Sequence, residues 1–191
     1  MLKGKYGDQE RVIVRWTRPV TIGTHDATDE DKRILHDLVR EINEVLQHTS
    51  VSLEIGEFAK SDIGVIFAPH RNFSTIVDHL GFDYVEGNLG FFWVYPDDRY
   101  EIGSAAVLIA QELTGDARKY AIMQEVIQAL GPTNDSPLYP DSIFYERRGV
   151  GLIKTTLAPI DRKLLRFLYT HLEPGDRLRS VRRAFEAHWN E

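Results

Sequence analysis

Tyr120-Ala-Ile-Met-Gln124-Glu125-Val-Ile-Gln128-Ala-Leu130-Gly131-Pro-Thr-Asn134-Asp135 is the stretch on which the reading of this chain turns. Ile122, Met123, Val126, Ile127 and Leu130 recur at helical spacing, which predicts a helix over 116–130 with one face in the core. Gly131-Pro132 ends it, because glycine accepts the left-handed cap and proline cannot continue the ladder. Gln124 and Gln128 stand four residues apart and share a face, with Glu125 about 100° further round. Few purely structural helices set two amides and a carboxylate into so apolar a run.

Around this helix the hydrophobic pattern alternates between strand and helix. Val12, Val14 and Trp16 against Arg11 and Arg15 predict a strand within 11–23, with Pro19 marking a bend or an edge. Thr28 and Asp31 form a capping-box pattern ahead of Ile34, Leu35, Leu38, Val39, Ile42, Val45 and Leu46, a stripe that should lie on a sheet. Short strands follow near 51–55 and 62–68, then a helix from Arg71 to Leu80 closed by Gly81. Two further strands are expected at 90–96 and 103–111, the second almost wholly apolar and so buried. Past a loop over 131–149, helices are expected near 159–171 and 175–189, separated by Pro174-Gly175. The plan is α+β: a mixed sheet, a long backing helix, the helix bearing Glu125, and a small helical C-terminal part. The expected division is 1–131 for the sheet and its helices and 132–191 for the remainder.

Composition narrows the chemistry. The chain has 191 residues, 42% of them hydrophobic and 27% charged, with a formal net charge of −6, which suits one domain with a real core. With no cysteine, disulfide scaffolds, thiolate metal sites and cysteine nucleophiles are excluded. An acidic balance argues against nucleic acid as a partner, and no run approaches the roughly 18 apolar residues of a membrane span. Seven histidines leave zinc open in principle. His70 follows a strand and precedes a helix, a loop position where ligands often sit. His25 sits in a similar turn, and the other histidines show no ligand spacing. Gly149-Val-Gly151 is too short for a phosphate loop, and no G-x-S-x-G elbow is present.

The helix resembles the HExxHxxGxxH signature of metzincin and matrixin zinc peptidases, position for position. Gln124, Glu125, Gln128, Gly131 and Asn134 occupy the five places, so the general base and the glycine are kept and all three imidazoles become amides. Asp141-Ser-Ile-Phe144-Tyr145 is similar to the matrixin Met-turn, with Phe144 in place of Met. Leu157-Ala-Pro-Ile-Asp161, then Leu164, Leu165, Phe167, Leu168 and Tyr169, resembles the closing helix of those enzymes. A nearer likeness, through Gln128-Ala-Leu-Gly131, Asn134-Asp135 and Ser142-Ile143-Phe144, is to an uncharacterised bacterial domain family often found on exported or lipid-anchored proteins. Pro132 departs from the leucine usual there. The resemblance spans roughly 11–175, with its specific motifs between 120 and 169.

The resemblance implies a peptidase-like fold without its zinc. A carboxamide oxygen is a weak, uncharged ligand, whereas catalytic zinc sites keep three strong ones plus water. Without that metal, bound water does not ionise near neutral pH, and Glu125 alone cannot generate hydroxide. The expected function is therefore a non-catalytic peptide- or protein-binding or scaffold domain of the bacterial cell envelope, with Gln124, Gln128, Asn134, Asp135, His70 and Tyr145 as candidate binding residues. The alternative is a hydrolase in which Glu125 acts as general acid or base, with no zinc or with Ca²⁺ or Mg²⁺ on hard oxygens. The plain structural reading is a satisfied polar network that fixes the turn to Asn134. No cofactor is expected. The opening Met1-Leu-Lys-Gly-Lys-Tyr-Gly-Asp lacks the apolar core of a signal peptide, so export implies a leader absent from this chain, and a cytosolic location is compatible with the same residues.

Two surface features complete the reading. Phe91-Phe92-Trp93-Val94-Tyr95 is expected to border a cleft, because in metzincins the strand above the active-site helix pairs with extended peptides. Arg177, Arg179, Arg182 and Arg183 beside Leu178, Val181, Phe185 and Trp189 make the last helix amphipathic, suited to packing on the body or to a partner or lipid surface.

Overall fold

The computed structural model describes residues 12–81, 85–147 and 150–190. Five strands form the main sheet: β1 (Val20–His25), β2 (Leu53–Ile55), β3 (Ile63–Ala68), β4 (Gly90–Pro96) and β5 (Ile102–Ala110). Their order is β2-β1-β3-β5-β4; the first four are parallel, and β4 runs antiparallel along one edge. The helices are α1 (Asp29–Val45), α2 (Phe73–Leu80), α3 (Gly115–Gln128), α4 (Pro159–His171) and α5 (Leu178–His188), and β6 (Glu146–Arg147) with β7 (Val150–Gly151) makes a small hairpin. The fold class is the α+β one expected, with a mixed sheet and a long backing helix.

Period-two alternation assigns the two faces of the sheet. Phe67, Phe92, Val107 and Ile109 point to the side covered by α1 and α3 and join the larger core with Ile122, Met123, Val126 and Ile127. Phe91, Trp93, Leu108 and Ala110 point the other way and are covered by Phe73 and Val77 of α2. Burying a side chain of this size contributes roughly 1.5–3 kcal/mol, so the two faces supply most of the driving force.

Residues 12–19 depart from the strand expected over 11–23; Arg11 lies outside the described residues. They make only isolated bridges, Val12 to Arg177 and Arg15 to Glu101, and β1 starts after Pro19. The reason is burial. Arg15 and the next residue, Trp16, are both buried, which breaks the alternation that a half-exposed strand requires.

Long-range polar contacts fix α3. Thr28 and Asp31 close the capping box at the start of α1. The same Asp31 carboxylate receives Nε and Nη2 of Arg118 at 2.5 and 2.8 Å. Arg118 also donates to the carbonyls of Ala110, Gln111 and Leu113 and lies over the Phe67 ring, so one guanidinium ties α1, the end of β5 and the first turn of α3 together. At the other end of α3, carbonyls that lack helical partners are taken up by side chains. Trp16 Nε1 donates to Ala129 at 3.0 Å and the Tyr169 hydroxyl to Leu130 at 2.6 Å. Gly131 follows with φ 121°, where a Cβ would lie 2.7 Å from the Val14 carbonyl, so the sharp turn there requires glycine.

Candidate functional site

α3 presents its polar face toward the edge strand and the 132–146 loop. Gln124 and Gln128 each donate from Nε2 to the same oxygen, Oδ1 of Asp135, at 3.2 and 3.0 Å. Loop pairing delivers Asp135 to that point. Ser136 N–H donates to the Phe144 carbonyl, and Glu146 N–H donates to the Ser136 carbonyl. Asp161, buried at the start of α4, accepts from the Ser142 hydroxyl at 2.5 Å, from Ile143 N–H at 3.0 Å and from Ala158 N–H at 2.9 Å. The Ser142-Ile143-Phe144 segment is thereby fixed to α4, and with it the strand-like return that carries Asp135 and Glu146.

Glu125 sits on the neighbouring face of α3, against the start of β4. A Cβ on Gly90 would lie 2.8 Å from Glu125 Oε1 and 3.1 Å from its Cγ, so the missing side chain at 90 is the space the carboxylate occupies. Among the described residues no ion pair or hydrogen bond reaches the Glu125 carboxylate. Burial first, and the charge of Asp135 second, push its pKa from the ordinary 4.5 up to about 8. Asp135 is held up at about 6 by desolvation and then by the Glu146 carboxyl, against the opposing donation from Gln124. Tyr120 lies one turn before Gln124. Burial and then the charges of Asp135, Glu125 and Glu146 push its hydroxyl up to about 12. The site is thus a patch of three carboxyls and a phenol, two amides holding one of the carboxyls in place.

The candidate residues distribute unevenly over this geometry. Gln124, Glu125, Gln128 and Asp135 converge. Asn134 is exposed, and the residue that reaches the amides is the next one along. Tyr145 is half-buried and bridges Ser136, within the loop that carries Asp135. His70 lies elsewhere: its N–H donates to Glu112, and its ring meets Phe73 edge-on at 5.2 Å, in the cluster on the opposite face of the sheet. It is not brought to Glu125. Tyr120, Gly90 and Glu146 were not singled out from the sequence. Tyr120 shares the i, i+4, i+8 line with the two glutamines and was findable from spacing, as was Gly90, a glycine heading a strand. Glu146 reaches the site only through the loop fold.

These residues do not fit a zinc ion. At 124 and 128 the nitrogens facing the site are amide donors already spent on Asp135, and an amide N–H offers no lone pair. Among the described residues no group of three or more His, Cys, Asp or Glu is arranged to hold a metal, and no helix is long and apolar enough to cross a membrane.

Two solved structures of myroilysin align with the chain, each at 10% identity over 85% of it. One covers 100% of its own chain at a TM-score of 0.47, the other 92% at 0.48. No curated protein matches. Residues 1–187 match the family model described as a protein of unknown function (DUF2927), and the chain belongs to that family.

Proposed function

We propose that this is a non-catalytic, peptidase-like binding domain that holds an extended peptide or protein segment along the outer edge of β4, over Gln124, Glu125 and Gln128. The observation that carries the reading is the edge itself. Ala110 N–H donates to the Leu89 carbonyl, so 89, 91, 93 and 95 turn their backbone groups toward β5. Gly90, Phe92 and Val94 turn theirs outward, and among the described residues nothing pairs with them. Such an edge is a template for strand addition, and it begins where Glu125 lies. Leu89 and Tyr95, both substantially exposed, supply apolar surface along the same strand. A place in the bacterial cell envelope rests on the sequence resemblance.

The test pans the whole chain against displayed random nonapeptides and measures the binders by calorimetry. Val94→Pro removes one outward N–H and leaves the ladder to β5 intact. Binding that weakens at least tenfold with Val94→Pro, and with N-methylation of alternate peptide amides, supports strand addition. Binders indifferent to both changes overturn it.

A second reading has one observation in its favour. A carboxyl at about 8 is matched to general acid or base work near neutral pH. It requires turnover of a peptide or ester substrate that Glu125→Gln abolishes without unfolding, measured with and without added Ca²⁺ or Mg²⁺. Absence of turnover under all three conditions leaves the binding reading.

A further inference from the structure

We infer that α5 is a docking face for an anionic lipid bilayer. The helix is held to the body on one side: Val181 and Ala184 pack on the main core, and His188 stacks on His171 of α4 with ring centroids 4.3 Å apart. The adjoining stripe, Leu178, Arg182 and Phe185 at four- and three-residue steps, faces outward, and Trp189 at its end is half-buried, packed on the main core and edge-on to Phe167 at 5.4 Å. Leu178 is 57% exposed and Phe185 46%. Phe185 stacks on Trp189 at 4.8 Å, and the Lys163 ammonium sits 4.9 Å from the Trp189 ring centre. Arg179 and Arg183 flank the stripe. Among the described residues Arg179, Arg182 and Arg183 have no ion-pair partner, and Glu186 is the one acid on the helix.

Charge chooses the occupant. Residues 154–191 carry eight Lys and Arg against five Asp and Glu, whereas residues 1–153 carry fifteen against twenty-four. An anionic surface repels the body and admits this end alone. A second copy of the chain would set these arginines against themselves across a two-fold axis. A helical acidic peptide would need a groove, and the stripe is a convex helix face; a bilayer accepts a convex face with aromatic residues at headgroup depth and arginines at the phosphates.

The experiment uses the whole chain and vesicles of phosphatidylglycerol and phosphatidylcholine in equal parts, with pure phosphatidylcholine as the comparison. Expected are co-sedimentation with the anionic vesicles only, loss of binding in 0.5 M salt, and a blue shift of tryptophan emission that Trp189→Phe removes, since Trp16 and Trp93 are buried. Each arginine near the surface contributes roughly fivefold, so Arg179→Gln/Arg182→Gln/Arg183→Gln should weaken binding about a hundredfold. Leu178→Ser/Phe185→Ser should weaken it at least tenfold. Both variants are surface changes, checked by an unchanged melting temperature. Equal binding to both vesicle types, no binding to either, or an unaffected arginine variant overturns the inference. So does a dimer in sedimentation velocity that Leu178→Ser/Phe185→Ser dissociates, which would assign the face to a second copy.

Discussion

Glu125→Gln should make the protein more stable at high pH and leave it unchanged at low pH. A carboxyl whose folded-state pKa is raised binds a proton on folding, so its neutral form contributes stability that is complete below the ordinary value of 4.5 and lost as the pH rises through about 8. The full interval corresponds to about 5 kcal/mol at 1.36 kcal/mol per pH unit. Glu125 keeps some exposure, and water entering beside it lowers the cost of the charge, so about 2–4 kcal/mol is expected. At pH 9 the wild-type chain carries this cost and the isosteric amide does not. For a chain of this length that amounts to about 5–15 °C in Tm. Urea titrations followed by circular dichroism from pH 5 to pH 9 read the difference directly, with Asp135→Asn as a control for the neighbouring carboxyl. Parallel pH profiles for wild type and Glu125→Gln would refute the reasoning, since they would mean that the carboxylate is ionised and hydrated in the folded protein.

Gly90→Ala places a methyl 2.8 Å from Glu125 Oε1 and should cost about 1 kcal/mol, a loss that thermal melts should find relieved in a Glu125→Ala background. Arg118→Met leaves Asp31 fully buried with only the Thr28 donors and no cation, and should cost about 3–5 kcal/mol by chemical denaturation. Burial alone would raise the Asp31 pKa, but donation from Arg118 and Thr28 outweighs it and holds the carboxyl below 3.8. The wild-type advantage should therefore be present above that pH and fade as the pH falls below it. Asp161→Ala strands the Ser142 hydroxyl and two backbone N–H groups, for a loss of about 2–4 kcal/mol, with faster hydrogen exchange over 136–146. Gln124→His/Gln128→His should gain zinc affinity by competition with a chromophoric chelator, and lose it again with Asp135→Ala, whereas adding Asn134→His should change little.

What was legible in the sequence was what short-range chemistry encodes. The apolar line of α3, the Thr28–Asp31 box and the stop at Gly81 depend on residues within a turn of one another and appear where expected, while α3 ends at Gln128, two residues short of Leu130, with Gly131 making the turn that follows. Of the strand read into 11–23, the part from Val20 forms β1, whereas 12–19 does not join the sheet because Arg15 and Trp16 are buried by partners more than 110 residues away, Glu173 and the end of α3. The polar face of α3 was visible from spacing, but its partner was not. Whether position 134 or 135 meets the glutamines depends on the path of the loop, which Ser136, Phe144 and Asp161 set through contacts that no local pattern announces.

That one-residue difference decides the polarity of the site. In the zinc peptidases that this helix resembles, two imidazoles four residues apart turn lone pairs toward a common point, an arrangement that organises a cation. Here two amides at the same spacing turn N–H groups toward a common point, an arrangement that organises an anion, and the chain supplies that anion itself as Asp135. Gln128 is buried, so its donor left without the carboxylate would carry a penalty of its own, whereas Gln124 makes its bond at the surface. Burial comes first in displacing Glu125 and Asp135 upward; the neighbouring carboxyl adds to it in each case, Asp135 for Glu125 and Glu146 for Asp135. From about pH 6 to 8 first Asp135 and then Glu125 lose their protons and the patch becomes more anionic beside β4, so a lysine- or arginine-bearing segment held as proposed should bind more tightly as the pH rises across this interval.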